Sequence, residues 1–352
     1  MPLTDRVQEA LIDDAAASPF GAVRNVRPAR RRPLARAGAP ARRSVERPST
    51  GVLAPVEPAR ALVRLKYSVE LEYEVEDDAD FVFNIQAAQV PGQRVLQEKL
   101  VLSPGAHSFE HADVANGGRI LRVACGPGEL VLRYEALVEA ARVLVDPASI
   151  AETPVGKLPA EVLPFIYPSR YCESDKLLAF AFDHFGKLPA GYSRAQAICD
   201  WVSGHVQFVS GATTSETTAV TTLVQKRGVC RDFAHLMIAL CRACNLPARF
   251  ATTIDFGADP ALGPQDFHAF VEVFLDGRWW MFDPSQTAIP MGFALINRGR
   301  DAADAAFCTL FGAASMTKMR IAIAAPPGSD GRLPAMERTD QAIALDVTAP
   351  AA

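Results

Sequence analysis

Cys230, His268 and Asp283 stand in the segments GVCRDFAHL, FHAFVEVF and WWMFDPSQ. A cysteine, a histidine and an acid in that order can carry out thiol acyl transfer. The attacking species is the thiolate, so the chemistry needs a group that favours it and a base that handles its proton. His268 can accept the thiol proton and return it to a leaving amine, while Asp283 can hold the imidazole tautomer and stabilise its charged form. The backbone amide of Cys230 is the natural first donor to the oxyanion of an attacked amide. Trp201 and Gln207 are candidates for the second donor, although a Trp in AQAICDWV reads first as core.

The elements that must place these groups are legible. Residues 230 to 244, CRDFAHLMIALCRAC, contain no Gly or Pro, and Phe233, Leu236, Met237, Leu240, Cys241 and Cys244 recur at helical spacing. Gly228 loosens the backbone before this helix, Asp232 sits in its first turn, and Asn245, Leu246 and Pro247 end it. Cys230 therefore stands at the positive end of the helix dipole, which favours a thiolate. Phe267 to Leu275 and Arg278 to Asp283 read as strands joined by Asp276-Gly277, a two-residue hairpin signal. That turn sets Leu275 opposite Arg278, so Phe270 faces Asp283 and His268 and Asp283 become diagonal neighbours on one face. Diagonal pairs lie about 7–8 Å apart at Cα, within reach of two polar side chains. ARFATTIDF reads as a further strand of the same sheet, giving an α+β core of a helix on an antiparallel sheet.

Over LVQKRGVCRDFAHLMIALCRACNLPAR and HAFVEVFLDGRWWMFDPSQ the chain resembles bacterial members of the transglutaminase-like superfamily, with PFIYPSRYCESD and NRGRDAADAAF as further matching segments. The resemblance covers roughly residues 62 to 325. It implies a papain-like core preceded by a β-rich domain, with Cys230 as nucleophile, His268 as base and Asp283 as orienting acid. Relatives include cross-linkers, proteases, other amide hydrolases and members without catalysis, so the resemblance leaves the reaction open. The separations of 38 residues (268 − 230) and 15 residues (283 − 268) are far shorter than the ~130–150 residues of papain-type proteases. No EF-hand pattern or dense acidic cluster adjoins the three residues, which argues against calcium dependence.

Composition fits a globular enzyme, at 352 residues with 49% hydrophobic and 22% charged. Residues 1–60 form an Arg, Pro and Ala-rich stretch expected to be disordered, apart from a short helix near Val7 to Ala17. It carries 11 basic and 6 acidic residues, a net of +5, leaving −4 − 5 = −9 for the remainder. A solvated tail accounts for it better than a nucleic-acid arm, because no aromatic residues are interleaved with the arginines. Residues 61–147 alternate as strands and predict an antiparallel β-sandwich, 148–326 the catalytic domain and 327–352 a C-terminal tail. DKLLAFAFDHF and SRAQAICDWVSGHV suit helices. No run reaches about 18 apolar residues and no secretory pattern opens the chain, so a cytoplasmic protein without membrane partner is expected.

Seven cysteines without a regular framework fit free thiols. Cys241 and Cys244 lie on the buried helix face with no second Cys/His pair, and read as packing rather than metal ligands. Cys125, Cys172, Cys199 and Cys308 read as small core residues. No cofactor or metal is expected, and the substrate is expected to be a peptide or another amide. His184, His205 and His235 read as structural, Asp232 as a helix-start residue and Asp266 as a loop acid. NRGRDAADAAFCTLFG reads as a loop and then a helix capped by Asp301, with Arg298 and Arg300 either binding a substrate carboxylate or pairing with Asp301 and Asp304. The loops GATTSETTAV and GADPALGPQD are the expected cleft walls. The function expected is hydrolysis of an amide, peptide or isopeptide bond through a Cys230 thioester, with transamidation or a non-catalytic binding module as alternatives.

Overall fold

The computed structural model describes residues 59–113, 116–258, 265–288, 292–327 and 338–345. The basic stretch, with its expected helix near Val7 to Ala17, lies outside the described residues apart from its last two.

Six strands come first: β1 (Ala59–Val75), β2 (Ala79–Phe83), β3 (Gln93–Leu102), β4 (His107–Ala112), β5 (Arg119–Cys125) and β6 (Gly128–Val145). Along β1 the period of two is strict, with Val63, Leu65, Tyr67, Val69, Leu71, Tyr73 and Val75 all buried. These side chains meet Phe81, Phe83, Leu121 and Val123 from a second sheet in a common core, and the rings of Tyr73 and Phe81 sit 4.9 Å apart edge to face. The result is two antiparallel sheets face to face.

The catalytic region follows with helices α1 (Leu178–Phe185), α2 (Tyr192–His205), α3 (Ala219–Gln225), α4 (Cys230–Ala243) and α5 (Ala302–Ala305). Its strands are the short pair β7 (Gln207–Phe208) and β8 (Arg227–Gly228), then β9 (Ala248–Asp255), β10 (Phe267–Leu275), β11 (Arg278–Phe282) and β12 (Phe293–Gly299). The last four form one antiparallel sheet in the order β11-β10-β9-β12. The fold is thus the expected α+β arrangement. Residues 297–299, however, close a strand of this sheet rather than open the loop expected, because Asn297, Arg298 and Gly299 pair with Thr252, Ala251 and Phe250 of β9.

The domain boundaries also need correction at the C-terminal side. Strands β13 (Cys308–Phe311), β14 (Ala314–Ala324) and β15 (Ala342–Leu345) return to the sandwich, where β13 pairs with β2, β14 with β1 and β15 with β6. Residues 308–324 therefore belong to the β domain and not to the catalytic one, and residues 342–345 are a fully buried strand rather than tail. The physical reason is an edge: the outer hydrogen-bonding groups of β1 require partners and find them in β14, while β15 covers Arg142–Val145 of β6, beyond the stretch that β3 already pairs. Ile254, Ala294 and Ile296 of the catalytic sheet join the sandwich core, so the two layers share one hydrophobic interior.

Candidate active site

The Cys230 helix is built to begin where it does. Asp232 Oδ2 accepts from the backbone amide of Val229 at 2.9 Å, and its other oxygen accepts from Thr213 Oγ1 at 2.9 Å. That is the helix-start role read from sequence. Gly228 is there for space rather than for looseness: a Cβ would lie 2.6 Å from Asp232 Cβ and 2.7 Å from Oδ2. Eleven of the next residues, Phe233 to Ala243, are buried without a break, which anchors the helix and leaves Cys230 half-buried at its start.

The hairpin follows the expected register, with Leu275 opposite Arg278 and Val271 opposite Phe282. Asp276 and Gly277 both take positive φ, 48° and 76°, as a type I′ turn demands. Asp283 lies one residue past the end of β11, and its Oδ1 stands 3.3 Å from His268 Nε2. Ser285 donates to Asp283 Oδ1 from its amide at 3.0 Å and its hydroxyl at 2.6 Å, and the Ala288 amide donates to Oδ2 at 3.2 Å. Burial pushes the Asp283 carboxyl up, yet His268 and these donors outweigh it and hold it below the usual range. Burial pulls His268 down, but Asp255 and Asp283, with a hydrogen bond to Cys230, hold its ring well above the ordinary imidazole range. The three residues singled out from sequence thus meet at one place, with the imidazole biased toward its cation.

Cys230 and His268 open onto a cavity of about 760 Å³, lined also by Asp255 and Asp266 and by the rings of Tyr171, Phe208, Phe250, Phe267 and Phe307. Gly211, Thr213 and Ser215 of GATTSETTAV, and Ala258 and Asp266 of GADPALGPQD, contribute to its wall as expected; residues 259–264 lie outside the described set. The Arg231 guanidinium is engaged, donating to Thr213 Oγ1 at 3.0 Å and to the carbonyls of Thr214 and Thr217 at 2.9 and 3.3 Å, over the ring of Tyr171.

Other candidates fall elsewhere. Trp201 stacks on His205 at 4.3 Å between ring centroids and neither it nor Gln207 is among the cavity residues, so neither supplies the second oxyanion donor here. Arg298 pairs with Glu272 and Arg300 with Asp304, and neither lines the cavity. His235 is buried, stacks on Tyr171 and accepts from the Ala302 amide at 3.1 Å. Burial pushes the Cys172 thiol up to about 12 and Cys244 up to about 11, and raises Cys199 and Cys241 strongly. Cys308 also borders the cavity, with its thiol raised by burial.

Sequence reasoning missed Asp255. It ends β9 beside His268, and the only signal for it was an acid closing a strand that carries no other carboxylate.

The arrangement has relatives. The pattern of the transglutaminase-like superfamily core matches residues 179–284, and that of the bacterial transglutaminase N-terminal domain matches residues 63–161. A candidate cysteine protease from Cytophaga hutchinsonii, solved as a crystal structure, is 34% identical with a TM-score of 0.75, covering 82% of this chain and 99% of its own. The chain belongs to the transglutaminase-like superfamily. Among curated relatives, an uncharacterized protein of Mycobacterium leprae is 29% identical over 115 residues, 31% of this chain and 41% of that one. Another from Mycobacterium bovis is 35% identical over 106 residues, 27% of this chain and 34% of that one. The chain thus matches less than half the length of these curated relatives. Among the described residues no helix is long and apolar enough to cross a membrane.

Proposed function

We propose that this superfamily member is a cysteine amide hydrolase, acting on a peptide or isopeptide bond with Cys230 as nucleophile, His268 as base and Asp283 as orienting acid. The observation that carries the reading is Cys230 and His268 on one cavity wall with Asp283 behind the imidazole, whose ring two carboxylates hold in its charged range. In the acylation step the Cys230 sulfur bonds to the substrate carbonyl carbon, the C–N bond breaks, and the imidazolium returns its proton to the leaving amine. Water then attacks the thioester, giving its proton to His268 and releasing the acid. The cavity, lined by five aromatic residues and by threonines, suits an amide-bearing side chain or backbone better than a highly charged ligand. Nucleic acid and membrane are not partners in this reading, and a cytoplasmic setting is proposed from the free thiols.

A second reading, transamidation, is favoured by one feature: Asp255 and Asp266 bring negative charge to the wall, where an amine could enter in place of water. Two measurements separate these readings. Iodoacetamide labelling, read by peptide mass spectrometry, is expected to modify Cys230 faster than the other six thiols, with the advantage lost in His268→Ala. Equal labelling of Cys230 and the buried thiols would remove the catalytic reading. A glutamine peptide incubated with and without a primary amine then distinguishes mass gain by hydrolysis from amine incorporation.

A further inference from the structure

The roles above leave one buried acid unused. Asp255 closes β9 on the face that carries Thr253, whose register partner on β10 is His268. Its side chain is 3% exposed. Oδ1 accepts from Thr253 Oγ1 at 3.0 Å, whereas Oδ2 has no hydrogen-bond partner among the described residues and stands 3.6 Å from His268 Nδ1. That separation is an ion-pair contact rather than a hydrogen bond. Leaving a buried carboxylate oxygen without a donor is costly, so an acid kept in that state points to a task other than stability.

The two carboxylates beside His268 are also on different sides. Asp283 stands at Nε2, takes three donors from its own loop, and is not part of the cavity wall; Asp255 stands at Nδ1 and shares the wall with Cys230. We infer that Asp255 is a positioning residue of the site, holding the Nδ1 edge of the His268 imidazolium on the cavity side while Asp283 holds the Nε2 edge. The inference rests on the reading of Cys230 and His268 as nucleophile and base. When the S–H bond of Cys230 breaks and an N–H bond forms on the imidazole, the pair becomes thiolate and imidazolium, and the Asp255 carboxylate keeps the new cation from losing its proton to solvent before an amine leaves.

The charged groups around this pair are few. His268 faces Asp255, Asp283, Cys230 and, at the start of β10, Asp266. Asp255 faces His268, Asp283 and Arg142. Arg142 belongs to β6 of the sandwich and donates Nη2 to the carbonyl of Phe293, the register partner of Asp255, at 2.8 Å. Burial and Asp283 push Asp255 up to about 6, with His268, Thr253 and Arg142 pulling the other way. Above that pH the carboxylate is charged and supports the imidazolium; below it the support fades.

The test is the titration of His268, followed by NMR on the full chain with histidines labelled at Cε1, the His268 signal being identified by its loss in His268→Gln. Asp255→Asn keeps size and removes charge, and Asp255→Ser repeats the loss if the amide variant misfolds. The expected result is a His268 midpoint lower by about one pH unit or more in either variant, with Asp255→Glu recovering part of it, and a matching fall in the upper pH limit of Cys230 alkylation. A His268 midpoint unchanged from wild type in a folded Asp255 variant would overturn the inference. An inert Cys230 with a His268 midpoint that still responds to Asp255 would instead overturn the catalytic reading while leaving the contact in place.

Discussion

Two ion clusters share one face of the β9-β10 pair and differ in every respect that matters. At one end Glu272 sits opposite Arg249 and is gripped by two guanidiniums, from Arg249 Nε at 2.6 Å and from Arg298 Nε and Nη2 at 2.7 and 2.9 Å. Burial pushes Glu272 up, but the two arginines bring it down to about 2. Four residues along β10, the charge ratio is reversed: two carboxylates crowd one imidazole, one carboxylate oxygen is without a donor among the described residues, and Asp255 is pushed up to about 6. The first cluster is satisfied; the second, among the described residues, is under-satisfied, which is the state the proposed chemistry would use. Between them lie only Phe270 and its partner Ala251, so the same strands serve as rigid frame and as chemical site. Burial alone therefore does not tell the two clusters apart. What sets the proposed site apart is buried charge left short of partners beside a cavity.

The largest effect expected is at the reactive cluster. Asp283→Asn keeps the shape but removes the charge that orients His268, and a loss of about 10³–10⁴ in kcat/KM is expected, measured on whichever amide substrate the glutamine-peptide assay identifies, with little change in Tm. An equal fall in Tm would mean that Asp283 serves the frame, and the contrast between the clusters would fail.

At the frame cluster the pattern should invert. Glu272→Ala leaves two buried guanidiniums without their acid, and a destabilisation of about 3–5 kcal/mol is expected in urea titration. The pH dependence has a defined sign: the folded value of about 2 lies below the usual 4.5, so Glu272 contributes stability above about 4.5 that is lost as pH falls toward 2. The stability gap between wild type and Glu272→Gln should therefore narrow on acidification below that point, and a gap that widens would refute the assignment.

Smaller effects sharpen the boundary. Gly228→Ala forces a Cβ against Asp232 and should cost about 1–3 kcal/mol while slowing Cys230 labelling, because it moves the helix start that carries the thiol. Thr253→Val removes the donor that reaches Asp255 Oδ1 and should cost about 1 kcal/mol. It should also shift the His268 midpoint down by less than the Asp255 variants do, since the hydroxyl lowers the Asp255 carboxyl. A larger shift than in Asp255→Asn would place the effect on Thr253 itself.

Cys230, His268 and Asp283 were legible because each depends on local rules. A helix start is written in the residues around it, and a two-residue Asp-Gly turn fixes the pairing of the strands on either side. The β9-β10 register was not legible, because eleven residues, 256–266, separate those strands and a loop of that length fixes no pairing. Asp255 could not be set beside His268 without it. Arg298 was misplaced for the same reason, since its partner Glu272 lies 26 residues away on another strand.

The amino-acid sequence by itself determined the period-two burial of β1, the amphipathic Cys230 helix, the Asp276-Gly277 hairpin and the placing of His268 and Asp283 on one face of that hairpin, since propensity and side-chain periodicity act over a few residues. Tertiary structure alone decided that residues 308–324 and 342–345 complete the sandwich, that Glu272 is matched by two arginines, and that Asp255 stands at the second edge of His268 with Arg142 of the β domain behind it. Those outcomes depend on which distant strands pair and which charges are then buried together, and a buried charge takes its character from neighbours the chain brings in from afar.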